Sequence, residues 1–269
     1  MDDSDDGAIV NRLTVPLVLA AFMVFGVLGW VWGMPKPATT AGAAAAPYPI
    51  VMTGPARPTP VSGGTVAMAS GSTSLEEVTA STVADAWLLD VSTSTRIPVR
   101  VLQAYAAASI AQDSATPSCG LGWNTLAAIG SVESGHGTYG GASIDADGAL
   151  VGDILGPPLD GRVFAAIRDT DDGRLDGDTQ WDRAVGPMQF IPSTWASYGT
   201  DGNGDQITDP RQIDDATRSA AAYLCAAGGN LATTEGWSAA VRAYNADDTY
   251  VESVRELANE YAAAVQPSG

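Results

Sequence analysis

The chain has 269 residues, enough for one large domain or two small ones. Its apolar content of 45% supports a packed core and excludes a wholly disordered chain. Thirteen basic against 31 acidic residues leave a net charge of −18, which excludes nucleic acid as a partner, because cation–phosphate contacts dominate that binding.

Residues Leu13 to Met34 carry no charge and are almost wholly apolar. A helix of that length spans roughly 33 Å, sufficient for the hydrocarbon core of a bilayer. The segment is longer than the apolar core of a cleavable signal, and its start is acidic (Asp2, Asp3, Asp5, Asp6) rather than basic. Trp30 and Trp32 fall where an interfacial aromatic belt belongs. We therefore expect an uncleaved signal-anchor, with residues 1–12 as a cytoplasmic tail. The Ala-rich stretch after Met34 keeps cleavage as the alternative. From Pro35 to about residue 75 the chain is Pro, Ala, Thr, Gly and Ser without periodic apolar pattern, which reads as a flexible spacer.

Residues 76–269 turn helical in pattern, and one mainly α domain is expected there. Pro98 opens a helix with Leu102, Tyr105, Ala106 and Ile110 on one face. A second stripe carries Trp123, Leu126, Ile129, Gly130 and Glu133 and is closed by Gly135 and Gly137. Between Asp145 and Asp215 lies a loop-rich section holding 15 of the 24 aspartates, with no alternation suited to a large sheet. Asp209, Pro210 and Gln212 read as an N-cap, a first-turn proline and a capping-box partner of a helix that ends near Gly228–Gly229. Trp237, Val241 and Tyr244 share the face of another helix. Thr249 with Glu252 caps the last one, bearing Tyr250, Val254, Leu257 and Tyr261. Cys119 and Cys225 precede one helix and end another. Outside the membrane they are expected to form a disulfide; in a cytosolic domain they would be two buried thiols.

Glu133 is the most informative position. It lies on the apolar stripe of its helix and in the last turn, where burial and the negative end of the helix dipole both disfavour a charged carboxylate. A carboxylic acid still protonated near neutral pH is what a glycosidic oxygen needs from a general acid. The competing reading is a glutamate swung out at a frayed helix end.

The string Ile129-Gly-Ser-Val-Glu-Ser-Gly-His-Gly137 resembles the catalytic motif of lytic murein transglycosylases. Ala184-Val-Gly-Pro-Met-Gln-Phe-Ile-Pro-Ser-Thr-Trp195 resembles their Gly-x-Met-Gln-Phe segment, and Ala243-Tyr-Asn245 with Tyr250-Val251 their third motif. Order and spacing are most similar to the type of membrane-bound lytic transglycosylase B, over roughly residues 95 to 262. The resemblance implies a lysozyme-like helical domain, a carbon–oxygen lyase that cleaves the MurNAc–GlcNAc bond of peptidoglycan to leave a 1,6-anhydro end. Glu133 would be the sole acid and base. Ser134 would bond near the carboxyl or substrate, and Met188, Gln189 and Phe190 would line the groove around an N-acetyl group. Tyr244 would hold the carboxyl, and Asn245 would support that turn. Gln189 suits an acetamido group because its amide both donates and accepts, although Gln189 and Tyr244 could equally pack the core. His136 stands where relatives often have an aromatic or basic residue, and we expect a satisfied or exposed histidine rather than a catalytic one.

Partners expected on this basis are peptidoglycan glycan strands and, through the N-terminal segment, the cell membrane. The catalytic domain would be extracytoplasmic and monomeric. No cofactor is required for the chemistry. A structural Ca²⁺ could sit at Asp201, Asn203 and Asp205, whose spacing resembles the start of an EF-hand loop, with Asp209 at position 9. Gln212 replaces the bidentate glutamate of position 12, and a tight Asn-Gly turn is the alternative. The stretch Asp169–Asp178 reads as a solvated loop at the substrate rim. Two other functions stay open: a lysozyme-type hydrolase, with Asp145 or Asp147 as second carboxylate, and a non-catalytic peptidoglycan-binding module.

Overall fold

The computed structural model describes residues 83–162 and 164–265. The expected tail, anchor segment and spacer lie outside the described residues. Among the described residues no helix is long and apolar enough to cross a membrane. In chain order the domain comprises α1 (Asp85–Thr95), α2 (Val99–Ala115), α3 (Trp123–Ser134), β1 (Ser143–Ile144), β2 (Leu150–Val151), α4 (Pro192–Tyr198), α5 (Ile213–Gly228), α6 (Thr234–Tyr244) and α7 (Asp248–Ala263). The two strands form a minimal antiparallel hairpin, with Ser143 opposite Val151 and Ile144 opposite Leu150.

One apolar core runs through the helices. α3 packs most extensively against α7, and α5 packs against both α2 and α6. Leu102, Tyr105, Leu126, Ile129, Leu224, Val241, Tyr250 and Val254 are all fully buried at this junction of helices. A satellite cluster of Leu159, Ala184 and Ile191 anchors the long loop region between β2 and α4.

Helix starts differ from expectation in two places. α5 begins at Ile213, not behind Asp209: the Gln212 side chain accepts from the Asp214 N–H and is the N-cap. Asp209 is held in a turn before the helix, because its N–H donates to Asp215 and its carboxyl accepts from the Arg211 N–H. α7 is capped by Asp247, whose carboxylate accepts from the N–H groups of Thr249 and Tyr250. An acidic cap also complements the positive end of the helix dipole, which the Thr249 hydroxyl would not.

Cys119 and Cys225 are bonded, with Cα atoms 5.5 Å apart. The bridge ties the loop before α3 to α5 across 106 residues of sequence. The Leu231 N–H donates to the Cys119 carbonyl beside it. Replacing both cysteines by serine should lower folding stability by about 2–5 kcal/mol, the usual cost of losing a native disulfide. Denaturant melts of the full chain check this; an unchanged midpoint would mean that packing alone sets the spacing of α3 and α5.

Candidate active site

α3 and α7 meet at Glu133, and the Gly186–Phe190 turn is tied in beside it through Ser134. α3 supplies the residue from its penultimate position, and the helix closes on Gly135 in the left-handed conformation (φ 57°, ψ 44°), which glycine adopts without steric cost. The N–H of Gly135 donates to the Ser131 carbonyl and that of His136 to the Gly130 carbonyl, so the end of α3 is fixed. Gly130 is required by its neighbour: a side chain there would collide with the Tyr105 hydroxyl.

Glu133 is half-buried, yet protein surrounds its carboxyl densely enough that loss of hydration pushes its pKa from the ordinary 4.5 up to about 8. The Tyr250 hydroxyl donates to Oε1 at 2.6 Å and pulls in the opposite direction. Desolvation wins, as expected where a single neutral donor is set against the loss of bulk water. Burial and this bond account for the shift. The hairpin turn holds Asp145, whose carboxyl accepts from the N–H groups of Asp147 and Ala149. Asp147 is exposed there, and its carbonyl accepts from Gln212.

The residue on the carboxyl is therefore Tyr250, not Tyr244. The Tyr244 hydroxyl donates to the Met188 carbonyl at 2.8 Å, while its ring meets Phe190 edge-on with centroids 6.0 Å apart. Ser134 also departs from expectation. Its hydroxyl donates to the Pro187 carbonyl at 2.6 Å and accepts from the Gly137 N–H, tying the end of α3 to the Gly186–Phe190 turn. Met188, Gln189 and Phe190 are buried rather than lining an open groove. The Gln189 amide nitrogen donates to the carbonyls of Gly186 and Ile154, which holds the residue at φ 51° and stabilises the tight turn. No hydrogen bond to the Gln189 amide oxygen is formed among the described residues. Asn245 supports its turn as expected: Oδ1 accepts from the Asp247 N–H. Its Nδ2 is a buried donor without a partner among the described residues.

His136 is the satisfied histidine of the sequence reading. Nδ1 lies 3.2 Å from the Tyr105 hydroxyl and Nε2 lies 3.1 Å from that of Tyr261. Burial lowers its pKa to about 4, so it is neutral at pH 7. One tyrosine must then donate to the bare ring nitrogen while the other accepts from the N–H.

The side chains of the expected calcium loop also bond to the loop's own backbone. Both oxygens of Asp201 accept from N–H groups of Gly204 and Gln206, and Asp205 accepts from the Ile207 N–H and the Asn203 amide. Among the described residues the group that brings three carboxylate oxygens together is Asp169, Asp171 and Asp182. The buried Asp215 accepts from the N–H groups of Gly202 and Asn203 in the same loop. The Asp169–Asp178 stretch is not a solvated rim either: Asp171 and Asp176 are buried.

Residues 162–264 match the family model of the transglycosylase SLT domain. The match runs from the loops before α4 to the end of α7 and so takes in the Gly186–Phe190 turn, Tyr244 and Tyr250. It supports a lysozyme-like domain of the peptidoglycan transglycosylase class. Glu133 and α3 lie outside the matched segment and are joined to it by the Tyr250 and Pro187 hydrogen bonds. Neither the curated proteins nor the solved structures give a match to this chain.

Because the Glu133 carboxyl titrates near 8 when folded and near 4.5 when free, its proton supports folding fully below pH 4.5, and that support is lost as pH rises through 8. Glu133→Gln, which keeps an acceptor for Tyr250, should therefore stabilise the domain at alkaline pH by ~1–3 kcal/mol, allowing for the residue's partial exposure. Melting temperatures of the two proteins should differ at pH 8.5 and converge near pH 4.5. A variant that is less stable at pH 8.5 would show the carboxylate to be at ease in the fold.

Proposed function

We propose that the domain is a lytic transglycosylase of the membrane-bound lytic transglycosylase B type, with Glu133 as its sole acid and base. The observation that carries this reading is the desolvated carboxyl with a pKa near 8, held among the described residues by Tyr250 alone. The protonated carboxyl gives its proton to the glycosidic oxygen between MurNAc and GlcNAc as the C1–O bond breaks. The resulting carboxylate then accepts the proton of the C6 hydroxyl of the same MurNAc as O6 bonds to C1. The products are a GlcNAc end and a 1,6-anhydroMurNAc end, with no water consumed and no cofactor needed.

The Gln189 amide oxygen, which accepts no hydrogen bond among the described residues, suits the N–H of an acetamido group, while Ser134 and Tyr244 fix the turn that carries it. Asn245 holds the turn between α6 and α7 that leads to Tyr250. On this reading Leu13–Met34 anchors a monomer in the cell membrane, and the spacer lets the domain reach glycan strands outside. Calcium at Asp201, Asn203 and Asp205 has no step in this chemistry.

Glu133→Gln should cut turnover of purified sacculi by general-acid magnitudes, ~10²–10⁴-fold. Mass spectrometry of the released muropeptides should find anhydro ends, one water lighter than hydrolytic products. Reducing ends, with activity lost in Asp145→Asn or Asp147→Asn, would mean a lysozyme-type hydrolase. Full activity in Glu133→Gln would mean that another group is the acid, and no turnover by the unaltered protein would leave a binding module.

Tyr250→Phe removes the one bond that lowers the Glu133 pKa. The alkaline limb of its pH–rate profile should therefore move upward, alongside a loss of rate from poorer positioning. A limb that stays in place or moves downward would separate the pH dependence from Glu133.

A further inference from the structure

The loop that precedes the Gly186–Phe190 turn gathers negative charge in a way the fold does not neutralise. Oxygens from Asp169, Asp171 and Asp182 all lie within 4.8 Å of one another. Asp182 is fully buried and Asp171 is 8% exposed. None of the three forms an ion pair among the described residues, although nearby Arg183 is paired with Asp178. Each carboxyl is partly satisfied: Asp182 by the Thr170 N–H and hydroxyl, Asp169 by the N–H groups of Asp171 and Gly173, and Asp171 Oδ2 by the Leu175 N–H. Asp171 Oδ1 is different. It is buried without a hydrogen-bond partner among the described residues. A buried carboxylate oxygen with nothing to accept from costs free energy unless a cation or proton meets it.

Protonation of one carboxyl would relieve repulsion but would leave three crowded acids dependent on pH. A divalent cation relieves the repulsion and gives Asp171 Oδ1 its partner at once. The donors are hard oxygens, borne on a loop rather than on a rigid octahedral frame, and that combination favours calcium over magnesium and over softer metals.

We propose that Asp169, Asp171 and Asp182 form a calcium site that fastens the 169–182 loop. The Asp182 backbone donates to the Ile167 carbonyl and accepts from the Leu159 N–H, and Ala184 follows two residues later in the satellite core. An ion held here would brace the strand of chain that enters the Gly186–Phe190 turn. It stands apart from the Asp201 loop and takes no part in bond cleavage.

The test uses the full chain in detergent, stripped with a chelator and titrated with Ca²⁺ alone, with calorimetry for binding and thermal melting for stability. Ca²⁺ should bind and raise the melting temperature by mass action. Asp171→Asn, which keeps the shape of the side chain, should weaken Ca²⁺ binding at least about tenfold, because affinity follows the ligand charge. Asp201→Asn should leave binding intact. Tb³⁺, a luminescent stand-in excited through Trp181 beside Asp182, should lose its signal in Trp181→Phe and in Asp171→Asn. If Asp171→Asn fails to fold, Asp169→Asn, at a half-buried position, decides by the same readouts. Superimposable melting curves in Ca²⁺ and chelator would overturn the proposal, as would binding that survives Asp171→Asn or disappears in Asp201→Asn. Glycan turnover is not read in any arm, so the outcome is independent of whether the domain is a lyase.

Discussion

Much of the structure answers to one constraint: the Glu133 carboxyl is desolvated, and among the described residues no cation is paired with it. A paired carboxylate would titrate low and stay charged. Here burial dominates and the single neutral donor, Tyr250, only moderates it. The outcome is an acid that holds its proton at neutral pH yet can release it, since a pKa of about 8 lies close to the working range. The free energy for keeping the group there comes from the packing of α3 on α7. Tyr250, fully buried on α7, is both a packing residue and the hydrogen-bond donor.

Around this acid the buried polar groups are coupled in ways that protect its position. Tyr105, His136 and Tyr261 form a neutral chain that locks the residues just past α3. Gly130 leaves room for the Tyr105 hydroxyl, so the helix passes closer to α2 than any side chain would allow. Ser134 and Tyr244 reach the Gly186–Phe190 turn from two different helices and meet its backbone, not its side chains. The side chains of that turn are consequently free to be buried, and the sequence Gly-Pro-Met-Gln-Phe serves first to shape the backbone. The disulfide sets the distance of α3 from α5 on the opposite side.

The apolar stripes of α2, α3, α6 and α7 were legible because helical periodicity and burial coincide there, and the glycine stop after α3 follows from the need for a left-handed residue. The anomaly of Glu133 was legible for the same reason: a charged residue stood out on a stripe that must be buried. Which tyrosine reaches it was not. Tyr244 and Tyr250 lie on different helices, and only the α3–α7 packing decides between them. Helix starts were misplaced where two capping residues competed, as with Asp209 and Gln212 or Thr249 and Asp247, since local sequence does not say which side chain tertiary contacts will divert. The Asp169–Asp178 stretch reads as solvated in the sequence because aspartates are usually exposed. Asp171 and Asp176 turn inward instead, because their carboxyls accept from the backbone N–H groups of Leu175, Asp178 and Arg183, which no periodic signal announces.

The central claim is that desolvation, not pairing with a second carboxylate or a cation, governs Glu133. Direct titration of its side-chain carboxyl by carbon-13 NMR, assigned by comparison with Glu133→Gln, tests this without reference to substrate. The account predicts a single titration with a midpoint near 8. A midpoint in the ordinary carboxylate range, near 4.5, would contradict it.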